Sequence, residues 1–130
     1  MIAIDTSAIA AIALDEREAR QFGEIVGAEE CVIGWPTVFE AFLVLSPISR
    51  RRGLDVLDKV LAAPHLNIVA FDGRTYQSAC AAFERYGRGR HPAQLNFGDC
   101  MSYAVAEVHQ AALLYKGDDF PRTDIAAAFP

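Results

Sequence analysis

Short apolar runs alternate along this chain with longer segments whose apolar residues recur at the spacing of an α-helix. The short runs, bounded by polar or turn-forming residues, predict β-strands. They fall at residues 2–4, 31–33, 67–71 and 112–115, with a short terminal strand near 123–125. The segments with helical spacing predict helices at residues 8–14, 15–27, 36–46, 53–63, 74–86 and 97–110.

Strands that alternate with helices in this order predict an α/β fold. We expect one domain over residues 1–130, in which a parallel sheet is flanked by helices. In such sheets ligands bind at the carboxyl ends of the strands, near the point where the strand order reverses. Asp5 ends the first strand, and Asp118 and Asp119 follow the fourth. These acids therefore face one crevice if the two strands are neighbours.

The composition is typical of a folded domain. A chain of 130 residues that is 52% hydrophobic can bury one core and is too apolar to be intrinsically disordered. Its net charge of −5 argues against coating nucleic acid through bulk charge. The most apolar stretches carry Asp5 and Glu40 and are shorter than the roughly 20 residues of a membrane span. Because the N-terminus has no basic segment, we expect a cytoplasmic protein with no signal peptide and no membrane partner.

Three cysteines and three aromatic residues are predicted to pack as apolar side chains. The cysteine count is odd, and no CxxC motif or suitably spaced histidine indicates a zinc site or a disulfide framework. The aromatic residues lie in the predicted helix that contains Glu40 or just before it, where packing is the more common role. The six residues are Cys31, Cys80, Cys100, Trp35, Phe39 and Phe42.

Several acids occupy positions suited to chemistry, although each has a structural alternative. Asp5 is placed to cap the following helix, and Asp99 stands three residues after Asn96, as in a capping box. Asp118 and Asp119 follow a glycine and fit an ordinary turn. Glu40 interrupts an apolar helical segment, where an unpaired buried carboxylate is costly.

Together these acids indicate a metal site. Carboxylates brought into one crevice raise each other's pKa unless a cation neutralises them. A set of oxygen ligands favours Mg²⁺ or Mn²⁺ over zinc. A divalent ion in such a site can activate water for hydrolysis of a phosphodiester. The alternative is a set of unrelated helix caps.

The chain resembles the PIN-domain ribonucleases and, more narrowly, the VapC toxins of type II toxin–antitoxin pairs. The resemblance extends over essentially the whole chain, with the motifs in the family's order and spacing. It is carried by IDTSA at 4–8, TVFEA at 37–41, LNFGDC at 95–100, KGDDF at 116–120 and TDI at 123–125. Residues 87–93 also resemble one VapC subgroup.

This resemblance implies an endoribonuclease that depends on Mg²⁺ or Mn²⁺, with Asp5, Glu40 and Asp99 as its acidic core. Asp118 and Asp119 compete for the role of the fourth acid, because the family varies within this motif. Both are candidate catalytic residues, and Asp118 joins the three core acids as a candidate metal ligand. The resemblance also implies a small VapB-like antitoxin as partner, an RNA substrate and a homodimer.

Candidate RNA contacts surround these acids. Arginines before the Asp99 helix are suited to attracting a phosphate backbone that the acids would repel. The family's hydroxyl residues after the first Asp correspond to Thr6 and Ser7, whose alternative role is helix capping. Solvated surface is the alternative for the bases. The candidate contacts are Thr6, Ser7, Arg85, Arg88, Arg90 and Lys116; for the cluster Arg50–Arg52 solvated surface is favoured.

Two other function classes stay open. The domain could be a non-catalytic module that binds its partner within a toxin–antitoxin regulatory complex, using the apolar helices at 39–45 and 54–61 as docking surface. It could also be a phosphotransfer protein with Asp5 as nucleophile. A haloacid-dehalogenase-like phosphatase would need a second Asp two residues later, where this chain has Ser7, so this class ranks last.

Overall fold

The computed structural model describes all 130 residues and contains four strands in one parallel sheet. The strands are β1 (Ile2–Ile4), β2 (Cys31–Gly34), β3 (Leu66–Val69) and β4 (Ala112–Leu114). Their order across the sheet is β3-β2-β1-β4, with every neighbouring pair parallel. The order therefore reverses at β1, so the crevice expected of such sheets opens between the carboxyl ends of β1 and β4.

Six α-helices cover the sheet, which confirms the predicted α/β class. They are α1 (Thr6–Ala13), α2 (Ala19–Ala28), α3 (Trp35–Leu45), α4 (Arg52–Leu61), α5 (Gly73–Tyr86) and α6 (Phe97–Val108). Short 3₁₀ helices lie at Ser49–Arg51 and Phe120–Arg122. None of the helices is long and apolar enough to cross a membrane.

The core has two halves, one on each face of the sheet. Neighbouring strand residues point to opposite faces: Ala3 packs towards α5 and α6, whereas Ile4 packs towards α1 to α4. Leu113 and Leu114 divide in the same way. Because both faces are covered, β1, β2 and β4 carry no polar side chain, as is usual in parallel sheets, whereas the outer strand β3 contains the exposed Asn67.

Two predicted elements are wrong. The terminal strand near 123–125 does not form; the chain instead makes a 3₁₀ turn and then touches the sheet through one bridge between Ala127 and Leu113. Helix α2 begins at Ala19 rather than at Asp15, because Asp15 adopts a left-handed conformation (φ 52°) that ends the helical path after α1.

The predicted burial is also wrong for one cysteine and three aromatic residues. All three cysteines are free, and Cys31 and Cys100 are buried as expected, but Cys80 is exposed. The residues of α3 that face the core are Thr37, Val38, Ala41 and Leu45, while its aromatic residues face outwards. The exposed fractions are 55% for Trp35, 62% for Phe39 and 46% for Phe42.

Candidate active site

The first candidate acid, Asp5, follows the central strand β1 directly. Its backbone N–H continues the sheet by donating to Leu114 O at 3.0 Å. One carboxylate oxygen, Oδ2, accepts from the backbone N–H of Ser7 at 3.0 Å and from the Ser7 hydroxyl at 2.6 Å. The side chain therefore caps α1, as the structural alternative predicted. No protein donor reaches Oδ1, so the cap leaves one oxygen of this buried carboxylate available.

Glu40 reaches the same region from α3. Its Oε1 accepts from the Thr6 hydroxyl at 2.5 Å, and its Oε2 lies against the backbone of Gly98, near the start of α6. A Cβ built on Gly98 would stand 1.8 Å from Oε2. Burial, followed by the negative charge of Asp5, raises the pKa of Glu40, while the bond from Thr6 acts in the opposite direction. Gly98 is thus a site residue that sequence analysis missed, although a glycine at this point of a helix is a signal of close approach.

Asp99 completes a capping box at the start of α6. The backbone N–H of Asn96 donates to Asp99 Oδ2 at 3.1 Å, and Asn96 Oδ1 accepts from the backbone N–H of Asp99 at 2.9 Å. Its pKa is raised to about 6, first by burial and then by the charges of Asp5, Asp119 and Glu40. Asp99 therefore both caps α6 and interacts electrostatically with the other acids. Its Oδ1, like that of Asp5, accepts no hydrogen bond from the protein.

Asp118 and Asp119 lie in the exposed loop after β4. The turn is real, since Gly117 has a φ of +118°, and neither carboxylate makes a hydrogen bond to the protein. Asp119 stands next to the buried Phe120 and is one of the charges that raise the pKa of Asp99. The structure thus brings Asp119 into the electrostatic range of the cluster.

The acids do not form a closed cage. No three His, Cys, Asp or Glu side chains stand close enough together to enclose a metal ion as they are. The donor set nevertheless suits Mg²⁺ or Mn²⁺, because Asp5, Glu40 and Asp99 each keep one unbonded carboxylate oxygen. Mg²⁺ usually retains several waters and needs only one or two carboxylates, so a site of this kind can lack a preformed cage.

Most of the predicted RNA contacts have protein partners. The Thr6 hydroxyl binds Glu40 and the Ser7 hydroxyl binds Asp5. Arg85 pairs with Asp124 at 3.2 Å, and Lys116 pairs with Glu16 and Glu18. The remaining two are in the loop after α5, where Arg90 lies over the Phe83 ring at 5.3 Å and Arg88 is exposed.

The fold and this site define a PIN-domain protein: the family model described as "PIN domain" matches residues 2–126. Among characterised proteins, the chain is 39% identical to Ribonuclease VapC30 of Mycobacterium tuberculosis over 124 residues, covering 95% of each chain. It is 38% identical to Ribonuclease VapC of Mycolicibacterium smegmatis over 125 residues, covering 95% of this chain and 97% of the relative. The chain therefore belongs to the VapC family of PIN-domain proteins.

Solved structures share the fold at lower identity. VapC20 of Mycobacterium tuberculosis, described as a sarcin–ricin loop cleaving toxin, superposes with a TM-score of 0.77 at 15% identity, covering 100% of both chains. The VapBC2 complex of Rickettsia felis, solved with a promoter DNA fragment, gives a TM-score of 0.70 at 16% identity, covering 98% of this chain and 96% of the other. A toxin–antitoxin complex from Klebsiella pneumoniae gives a TM-score of 0.66 at 19% identity, covering 92% of this chain and 90% of the other.

The contact between Gly98 and Glu40 predicts that Gly98→Ala displaces the glutamate. The Cβ would meet the end of a flexible side chain, so Glu40 can swing towards solvent while α6 stays in place. Since burial is the main cause of its raised pKa, we expect the pKa of Glu40 to fall towards its ordinary value. NMR titration of the Glu40 carboxyl carbon measures this. Gly73→Ala, at the start of α5 with no atom within 4 Å of the new Cβ, is the matched control; an unchanged Glu40 pKa in Gly98→Ala would contradict the contact.

The raised pKa of Asp99 predicts a pH-dependent cost to stability in the absence of divalent ions. The native state retains this proton to about pH 6, whereas the unfolded chain loses it near 3.8. The free energy of unfolding should therefore fall as the pH rises from about 4 to about 6, by about 1–3 kcal/mol. Asp99→Asn should show a smaller fall, because only the raised pKa of Glu40 remains at the site, and it should be the more stable protein at pH 7. Urea unfolding in EDTA at both pH values measures it. Asp58→Asn, which alters an exposed side chain, should show the same fall as the wild type. If the free energy of unfolding of Asp99→Asn falls by as much as that of the wild type, Asp99 is not the cause of the pH dependence.

Proposed function

We propose that this protein is an endoribonuclease dependent on Mg²⁺ or Mn²⁺ and the toxin of a type II toxin–antitoxin pair. The observation that carries the proposal is the arrangement of Asp5, Glu40 and Asp99 at the point where the strand order reverses. Each carboxylate has one oxygen held by the protein and one oxygen free. Family membership supports the same activity, because the relatives compared above are named ribonucleases.

The carboxylates would hold the ion and orient the reactants. When bound, a divalent ion would lower the pKa of a water molecule, which makes the water a better nucleophile, and would neutralise charge on the phosphodiester. The Thr6 and Ser7 hydroxyls orient Glu40 and Asp5 by hydrogen bonding. The cap of α6 holds Asp99 so that its unbonded oxygen remains available.

Asp119 is the fourth acid in this proposal, with Asp118 in a secondary role. Its charge contributes to the raised pKa of Asp99, and the neighbouring Phe120 is 3% exposed and anchors the loop. Both side chains are exposed, so the choice of Asp119 rests on its charge acting on Asp99. The two acids are therefore expected to differ in their effects on activity.

The RNA would approach across the loop after α5. Arg88 and Arg90 are exposed there and carry positive charge towards a backbone that the acids repel. Arg85 and Lys116 would contribute only when their pairings with acids open, because both are engaged in ion pairs.

The partners proposed are a small VapB-like antitoxin and a second copy of the chain, in the cytoplasm. The exposed apolar residues of α3 support protein docking, since monomers rarely expose large apolar patches. The toxin–antitoxin complexes among the structural neighbours favour an antitoxin. The same exposed helix favours the second candidate function, a module that binds its partner without cleaving RNA.

Cleavage of labelled RNA tests the proposal. The purified protein should cut RNA with Mg²⁺ or Mn²⁺ and lose activity in EDTA. Asp5→Asn, Glu40→Gln and Asp99→Asn should each lower the rate by about 100-fold or more, since loss of an outer-shell partner alone costs roughly 10- to 100-fold. Asp119→Asn should lose more activity than Asp118→Asn.

Asp58→Asn is the matched control, because it removes an exposed carboxylate that lies on α4, away from the acidic cluster, and should cut as the wild type does. Equal cleavage by the wild type and the three core variants would mean that these acids do not carry the reaction. An uncut RNA together with tight binding of the antitoxin would favour the non-catalytic module.

A further inference from the structure

A polar network ties the C-terminal segment to α5 and α6. The Tyr103 hydroxyl on α6 donates to Asp124 Oδ1 at 2.6 Å, and Arg85 Nη2 on α5 donates to Asp124 Oδ2 at 3.2 Å. Both oxygens of Asp124 are therefore occupied. Tyr103 is 2% exposed, so its hydroxyl needs a protein acceptor. Asp124 Oδ1 is nearer to the hydroxyl than its second acceptor, Glu107 Oε2 at 3.3 Å. The bond from Tyr103, together with Arg85, lowers the pKa of Asp124, which keeps the carboxylate ionised.

This segment carries Asp119, whose own side chain is not held by any hydrogen bond. The residues that anchor this segment follow Asp119 in the chain. Phe120 packs against the Tyr115 ring with centroids 5.2 Å apart, and Arg122 Nη1 donates to Pro92 O at 3.0 Å. Asp124 is the anchor that reaches α6, the helix that also carries Asp99. Asp99 and Tyr103 are four residues apart and thus lie one turn apart on the same side of α6.

We propose that Tyr103 and Asp124 are a pair of positioning residues that hold Asp119 beside Asp99 and thereby set the affinity of the acidic site for a divalent ion. The inference rests on the proposed function for its metal. It gives a role to Asp124 in the TDI motif at 123–125, a motif that has no part in the acidic core.

The hydrogen bond from Tyr103 to Asp124 is the part of the network that holds the C-terminal segment in position. Arg85 and Asp124 have side chains 54% and 53% exposed, and an exposed ion pair contributes little on its own. The buried hydroxyl supplies the directional contact. Partners that orient a metal ligand without touching the metal commonly change metal affinity by about 10- to 100-fold when removed.

Mn²⁺ binding to the whole protein without RNA, measured by isothermal titration calorimetry, tests the pair. Tyr103→Phe, which removes the donor, and Asp124→Ala, which removes the acceptor, should each weaken Mn²⁺ binding by about 10-fold or more. The double variant should show little further loss, because both changes break the same Tyr103–Asp124 contact. At saturating Mn²⁺, cleavage by the single variants should return towards the wild-type rate, since no ligand is removed.

Ser78→Ala is the matched control. The Ser78 hydroxyl donates to Glu107 at 2.7 Å, a residue that also touches Tyr103, but this bond does not hold the C-terminal segment. It should leave Mn²⁺ binding unchanged. Unfolding in EDTA confirms that each variant is folded; if Tyr103→Phe is not, Asp124→Ala carries the test, because it alters a half-exposed side chain.

Folded Tyr103→Phe and Asp124→Ala proteins that bind Mn²⁺ as the wild type does would overturn the inference, and the proposed function would stand if the wild type cleaves RNA. Weakened Mn²⁺ binding in both variants, without RNA cleavage by the wild type, would support the pair and overturn the proposed function. A wild type that binds no Mn²⁺ would overturn both.

Discussion

The rest of the site depends on how one oxygen of each core carboxylate is held. Ser7 binds Asp5, Thr6 binds Glu40 and the cap of α6 binds Asp99. These bonds keep partly buried acids in place although burial and mutual repulsion raise the pKa values of Glu40 and Asp99. Asp5 and Asp99 therefore cap helices with one carboxylate oxygen and keep the other for the proposed metal site. The structural and the functional interpretations of these acids are compatible.

The sheet explains why these acids meet. Asp5 follows the central strand, and the chain turns from β1 to β2 on one side while β4 closes the other. Helix α3 leaves β2 and brings Glu40, and α6 packs across the sheet with Asp99 at its start. Gly98 lets these two helices approach until the carboxylate of Glu40 lies on the backbone of α6. The acidic crevice therefore follows from topology together with one missing side chain.

The strands and helices were predictable where the local pattern and the tertiary structure agree. Ile4 and Leu114 stand in apolar runs that only a doubly covered sheet buries, so their strands could be found from the sequence. The terminal strand was wrong because its place depends on docking against Leu113, a contact distant in sequence. Phe39 was wrongly assigned to the core because helical spacing identifies faces without saying which one the sheet covers. The contact of Glu40 with Gly98 joins residues from different helices, and no local pattern encodes it.

We propose that the pKa values of Glu40 and Asp99 are raised because these carboxylates are arranged to bind a divalent cation. The direct measurement is the number of protons released when Mn²⁺ binds, obtained by calorimetry near pH 6 in buffers of different ionisation enthalpy. Since Asp99 has a pKa of about 6, it is partly protonated there, and a bound cation should expel that proton. We expect proton release that disappears in Asp99→Asn. Mn²⁺ binding without proton release, or no binding at all, would contradict the account.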